Sequence, residues 1–407
     1  MDRHYRRIIA LSAGAAEKTL AMQDTDPESR NYGGIVSTAH GYAEPGGSGS
    51  TAARLLSFYL CPEHPRYGDR LLVDRAGLLL DFLLREQHED GTVDLKTTNF
   101  HDATMIGFVM QNLAYTYRLV DRSLPDHPEL EGLGESLLEF IRRGADGMRT
   151  GGFHTPNHRW VLASGLSLAY RIVEDDRYRE EAERYLAEGI DCTEEGEYTE
   201  RSVGVYNVVN NRSLMIVAEE LDRPELLDHV ERNLSMVLNY VEPDGSLFTM
   251  NSRRQDQGER PYPATYYENY LLMAHRTGNE RFAAVAEEIL SRIESGYGSP
   301  GSAVGTLTHF LLDPSLREEV VKPAAVGFPS RYEFVSEGSQ IARFRSGLVS
   351  TSVLGRHDSF LRFQVGEAVA SVRAHGTFYG EKGRFRPDGI FFFKQKTAYE
   401  LGACDWS

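Results

Sequence analysis

From residue 3 to about 295, apolar positions recur at spacings of three and four between short polar breaks, a pattern that predicts one amphipathic helix after another. The predicted helices cover 3–22, 51–60, 67–88, 102–121, 133–146, 156–173, 176–189, 203–221, 224–241, 264–277 and 279–295. The breaks have helix-ending chemistry: Glu89-Asp90-Gly91, Asp222-Arg223-Pro224, Glu242-Pro243-Asp244-Gly245 and Thr277-Gly278-Asn279. Strand signals are nearly absent over this length. After Pro300 the period changes: Gln340 to Phe344, Leu348 to Leu354 and Ser359 to Val365 alternate with β-branched and aromatic residues, as strands do.

A series of this many helices is too long for a four-helix bundle and predicts helical hairpins arranged around an axis. The expected fold is therefore mainly α: an incomplete (α/α)6-type toroid over 1–325, followed over 330–390 by the start of an antiparallel β-sandwich. Helices with one charged side, such as Arg177 to Glu188, should form the outer ring, and those apolar nearly all round, such as Gly165 to Tyr170 and Leu214 to Val217, the inner one. Inner helices start at one end, so their N-terminal loops should surround a funnel. Gly46-Gly47-Ser48-Gly49 has no preceding strand or following Lys and reads as one of these loops. Residues 391–407 do not continue the pattern and resemble translated adapter sequence, so a non-native tail and a truncated β domain are expected.

Composition narrows the function. The formal charge of −16 argues against sequence-independent nucleic-acid binding and a basic membrane face, because both need clustered Lys and Arg. No stretch approaches the ~18 apolar residues of a membrane span. The N-terminus lacks a secretory apolar core, so a cytoplasmic setting is expected, or a secreted or periplasmic one if a leader is missing. Cysteines at 61, 192 and 404 are too few for a disulfide framework or zinc knuckle, and neither metal nor other cofactor is expected. Dinucleotide, P-loop, esterase-elbow and His-Glu-x-x-His signatures are all missing.

Four clusters can carry chemistry. In Gly151 to Trp160, Thr155 reads as an N-cap and Pro156 as the first helical residue, placing Asn157, His158 and Arg159 in a first turn that favours an anion, with His154 just upstream. In Tyr198 to Arg212, Tyr206 and Asn210 share one helix face and Asn207 and Asn211 the next. Asparagines are poor mid-helix residues, which leaves either bonding between packed helices or a polar floor to the funnel. The loop Asn251-Ser252-Arg253-Arg254-Gln255-Asp256 offers paired guanidinium groups suited to carboxylates. The fourth is Ser371-Val372-Arg373-Ala374-His375-Gly376 with Tyr379; His101 at another inner-helix start is a further candidate.

Taken together, the toroid, the Asn157-His158 pair, a Tyr about fifty residues later and a His in a following β domain resemble the heparinase II/III-like polysaccharide lyases, including alginate and oligoalginate lyases, over residues 30 to 390. The resemblance implies that Asn157 and His158 neutralise a uronate carboxylate or serve as base, that Tyr206 acts as base or acid, and that His375 assists, with Arg356-His357 its rival. Tyr198 competes with Tyr206. The expected substrate is an acidic poly- or oligosaccharide, contacted by His101, His154, Arg159, Tyr198, Arg201, Asn210, Arg253 and Arg254; further copies of the chain are the other expected partner. Tyrosine, with pKa ~10, serves as a base near neutrality only beside positive charge, here expected from Arg201, Arg212 or His158. Two alternatives stand beside β-elimination. One is a toroid glycoside hydrolase using two of Asp102, Glu200 and Asp256; the other is a glycan-binding protein with Tyr266 and Tyr267 as platforms.

Overall fold

The computed structural model describes residues 2–318, 321–373, 378–381 and 383–385. His375 and the tail 391–407 lie outside them. The chain forms two compact units: a helical one of 1–191, 208–231 and 264–327, and a β-rich one of 192–207, 232–263 and 328–407.

The helical unit is an (α/α)-toroid of consecutive hairpins. Its main helices are α1 (Asp2–Ala21), α2 (Pro45–Leu60), α3 (Arg70–Glu86), α4 (Ala103–Ser123), α5 (Glu131–Thr150), α6 (Pro156–Val173), α7 (Asp176–Ala187), α8 (Tyr206–Glu220), α9 (Leu226–Val237), α10 (Tyr267–Thr277) and α11 (Glu280–Glu294). Two short helices, α12 (Gly301–Gly305) and α13 (Leu307–Leu312), follow, and a small hairpin of β1 (Val93–Leu95) and β2 (Asn99–Asp102) precedes α4. The first residues of α8 belong to the β-rich unit, as does the last part of α9.

Burial follows the predicted inner and outer assignment. Helix α6 is buried from Trp160 through Ala169 without a break. Helix α7 buries only Tyr178, Ala182 and Tyr185, the stripe of an outer helix. Because inner helices are enclosed on every side, their polar groups must find partners within the ring. Gln111 of α4 donates to Ser164 of α6 at 2.7 Å and Ser213 of α8 at 2.9 Å. Arg118 of α4 grips Glu220 of α8 through two 2.7 Å bonds. At the ends of the series, Ser57 of α2 bonds Thr308 of α13 at 2.7 Å, and Arg7 of α1 pairs with Glu287 of α11 at 2.7 Å.

Helix α2 starts earlier than its sequence pattern suggests, because Gly46-Gly47-Ser48-Gly49 is helical and not a loop. Packing overrides propensity here: a Cβ on Gly49 would come within 2.8 Å of Val109, so glycine is what lets α2 approach α4.

The β-rich unit contains one antiparallel sheet of β3 (Arg331–Ser336), β4 (Ile341–Ser346), β5 (Val349–Leu354), β6 (Leu361–Val365) and β7 (Ala368–Val372), in sequential order. A separate hairpin pairs β8 (Phe378–Gly380) with β9 (Gly383–Phe385). The buried face is the polar one, carrying Arg343, Ser350, Ser352 and Gln364, whereas Phe344, Val349, Phe363 and Val365 are exposed. Fully buried Arg343 explains the inversion. It donates to the Asn239 carbonyl at 2.8 Å, Ser352 Oγ at 2.6 Å and the Tyr332 hydroxyl at 2.7 Å, faces Glu242 at 3.4 Å, and lies 4.0 Å over the Phe248 ring. A charge-satisfied staple thus holds the sheet to segment 239–248 where a small apolar core would otherwise sit.

Candidate functional site

Helix α8 starts at Tyr206 because a short segment before it is clamped from a distant loop. Ser202 Oγ accepts the Tyr206 amide at 3.1 Å and donates to Asp256 at 2.9 Å. Asp256 also accepts from Ser252 Oγ at 2.5 Å and the Gly204 amide at 2.9 Å. A Cβ on Gly204 would lie 2.7 Å from Asp256 Oδ2, so only glycine allows this clamp. The same loop reaches the phenol: Gln255 Nε2 donates to the Tyr206 oxygen at 2.8 Å and Arg254 Nη2 at 3.3 Å, with the Arg254 guanidinium 4.5 Å over the ring. Glu200 anchors Arg254 at 2.9 Å.

This geometry separates the two tyrosines. Tyr206 is half-buried, with its oxygen between a cation and an amide. Tyr198 is wholly buried and offers no surface to a sugar. The cation on Tyr206 is Arg254, in place of the expected Arg201, Arg212 or His158.

Beside the clamp, within the β-rich unit, lies a cavity of about 350 Å³ lined by Arg201, Arg253, Arg356 and His357 together with Asn251 and Ser252. Both Arg201 and Arg356 have left-handed backbones, at φ 51° and 52°. Non-glycine residues take this conformation at a cost, and such positions gather at functional sites. Arg201 is pinned by donation to the Gly338 and Ser339 carbonyls at 2.8 and 3.0 Å. Arg253 is exposed; its amide donates to the Glu200 carbonyl at 3.0 Å, while its side chain forms no salt bridge among the described residues and makes a 3.5 Å contact with the Thr199 carbonyl. His357 lies 3.4 Å from Gln257.

Buried Glu197 accepts from the Tyr240 hydroxyl at 2.8 Å and Ser339 Oγ at 3.3 Å. Desolvation pushes its carboxyl up to about 7, against the opposing pull of Tyr240 and the Arg201 and Arg253 charges. A raised acid pKa means that the folded chain holds a proton the unfolded chain releases. Stability should therefore fall by about 3 kcal/mol as pH rises from the ordinary glutamate range through 7. Urea unfolding of wild type and Glu197→Gln from pH 5 to 8 should show the variant gaining on the wild type as pH rises; parallel curves would remove the buried acid from the account.

The start of α6 behaves differently from expectation. Thr155 is the N-cap with extended backbone but makes no capping side-chain bond, and Pro156 is the first helical residue. The anion favoured there comes from the chain itself. Glu188 pairs with His154 and, at 3.0 Å, with Arg159; Asp191 lies 3.6 Å from Arg159 and accepts Trp160 Nε1 at 2.9 Å. Arg159, lying over the Trp160 ring, thus already has carboxylate partners within the chain. Asn157 is buried and His158 half-buried, both in the helical unit. His101 is likewise engaged, bonding Asp90 at 2.7 Å and stacking 4.0 Å from His88.

Asn207 and Asn210 are fully buried, and neither polar atom of either amide meets a hydrogen-bond partner among the described residues. Bonding between packed helices therefore does not account for them; groups of this kind mark places where a polar ligand or solvent is needed. The residues named for the alternatives have partners or are enclosed. Asp102 caps α4 by accepting the Met105 amide at 2.7 Å, Glu200 holds Arg254, and Asp256 is the clamp. Tyr266 and Tyr267 are wholly buried and form no platform. The sequence pattern gave no role to Glu197, or to Gln255 within its loop; the acid-rich run Glu194 to Glu200 was the available signal for the first.

No protein-family model matches the chain, and no curated protein matches it in sequence. Solved structures do. The Streptomyces coelicolor chondroitin AC lyase in complex with chondroitin sulphate is 14% identical, with a TM-score of 0.54 over 89% of this chain and 54% of that one. A variant of that lyase with a tyrosine changed to alanine gives 13% identity and TM-score 0.52 over the same shares. An unsaturated glucuronyl hydrolase from Streptococcus agalactiae overlaps more weakly, at 13% identity and TM-score 0.46 over 83% of this chain and 85% of that one. The likeness to the lyase is one of fold, and the chain spans about half of that enzyme's length.

Proposed function

We propose that this protein is a lyase that cleaves a uronic-acid-containing poly- or oligosaccharide by β-elimination. The supporting observation is the loop 251–257, which sets Arg254 and Gln255 on the Tyr206 oxygen while turning Arg253 into a basic cavity shared with His357. Beta-elimination needs both halves of that arrangement. Removing the proton alpha to the uronate carboxylate builds charge on the carboxylate oxygens, which fixed guanidinium and imidazole donors stabilise best. The electron pair of the broken C–H bond forms a C=C bond as the glycosidic C–O bond breaks. The departing oxygen then takes a proton from an acid within reach, and Tyr206 is the group oriented to take and return it.

Arg253 and His357 are assigned to the carboxylate, with His357 in the assisting role that the sequence resemblance allowed to either His375 or His357. The roles implied for Asn157 and His158 are carried as part of the same proposal, tested by their own alanine variants. The first experiment is ultraviolet absorbance of the conjugated product on alginate, heparan, chondroitin and other uronate glycans; no chromophore on any of them ends the lyase reading. Arg253→Ala should lower kcat/KM by about 10²-fold with most of the loss in kcat, because the carboxylate charge it faces grows in the transition state. A rise confined to KM would move Arg253 from chemistry to binding.

A further inference from the structure

A second cavity, of about 270 Å³, lies entirely within the helical unit, between the inner helices α2, α4, α8 and α10 and the short α12 and α13. Its charged lining comprises Arg54, Arg212, Glu268 and His309. Arg212 is balanced: it faces Glu268 at 3.2 Å and donates to Asn112 Oδ1 at 3.0 Å. Arg54 is not balanced. It bonds only within its own helical turn, to the Ser50 carbonyl at 3.2 Å and Ser50 Oγ at 3.3 Å, and both N–H bonds of Nη1 lack a protein acceptor among the described residues. Burial lowers the pKa of Arg54 and of the half-buried His309, whose Nε2 lies 3.9 Å from Glu268. Two guanidinium groups thus face one carboxylate inside a chain of net charge −16.

Asn269 supplies an independent sign. It lines the same cavity at 1% exposure, and its Oδ1 has no hydrogen-bond donor among the described residues. An anion on half-buried Arg54 and a donating hydroxyl on Asn269 would satisfy this lining. A hydroxylated carboxylate does both. The volume of about 270 Å³ is just below the ~300–1,000 Å³ of ligand pockets, enough for one sugar ring and too little for a chain.

We propose that this axial cavity is a binding site for a single hexuronate, with its carboxylate on Arg54 and a ring hydroxyl on Asn269. It rests on the uronate substrate class proposed above but uses none of the Tyr206 machinery, so the two readings fail separately. The test is titration calorimetry of the full-length chain with sodium glucuronate, with glucose and acetate as comparisons. One-to-one glucuronate binding that exceeds both comparisons, survives Tyr206→Phe and weakens about tenfold or more in Arg54→Gln is the expected result, the worth of one charge-assisted hydrogen bond. Asn269→Asp, nearly isosteric, should weaken it similarly by placing a negative charge in the cavity, and covers the case of an Arg54 variant that does not fold. Absent glucuronate heat, equal binding of glucose or acetate, or full affinity in either folded cavity variant overturns the proposal. If glucuronate binds as described while no glycan yields a chromophore, the axial site stands and the lyase reading falls.

Discussion

Tyr206→Phe should lower the rate of chromophore formation by about 10³-fold, within the 10²–10⁴ range that one positioned proton-transfer group contributes, while leaving the folded state intact. The variant removes one oxygen from a half-buried side chain at a helix start whose capping comes from Ser202 and Asp256. The ring keeps its contact with Arg254, so the loss would report the hydroxyl alone. Arg254→Ala complements it by removing a donor from the same oxygen and freeing Glu200; a smaller fall in kcat, with a changed pH profile, is expected. A Phe variant that turns over at the wild-type rate on any cleaved glycan would eliminate Tyr206 as the proton-transfer group and reopen the assignment.

Arg343→Ala should cost about 3–5 kcal/mol of stability, the largest effect expected from any single change outside the sites, because it leaves Glu242 buried without its cation. It also removes the donor from the Asn239 carbonyl, Ser352 Oγ and the Tyr332 hydroxyl. Combining Arg343→Met with Glu242→Gln should be markedly less damaging than the sum of the two single variants, since neither partner then remains as an uncompensated charge. Urea denaturation of the four-member cycle measures this. Additive effects would show that the pair is not coupled and that the sheet is held by its other contacts.

The placement of candidate residues shows where local reasoning stops. The tyrosine pair at 198 and 206 is indistinguishable by spacing, and burial alone separates them. Arg159, His154 and His101 looked available because their carboxylate partners, Glu188, Asp191 and Asp90, lie 11 to 34 residues away. Paired arginines in one loop proved to have different tasks: Arg254 turns to Tyr206 and Arg253 to the cavity with His357.

What the sequence by itself determined was the helical series, most of its boundaries, the inner and outer assignment and the later change to strands, because each depends on spacings within a few residues. Tertiary structure decided the helical fate of Gly46 to Gly49, which depends on Val109, and the burial of the sheet's polar face, which depends on the Arg343–Glu242 pair. It also decided that Asp256 is a clamp and that Arg54 lines a cavity whose one carboxylate, Glu268, is paired with Arg212. These are contacts between segments far apart in the chain, and no local period encodes which distant atom will satisfy a given charge or hydrogen bond.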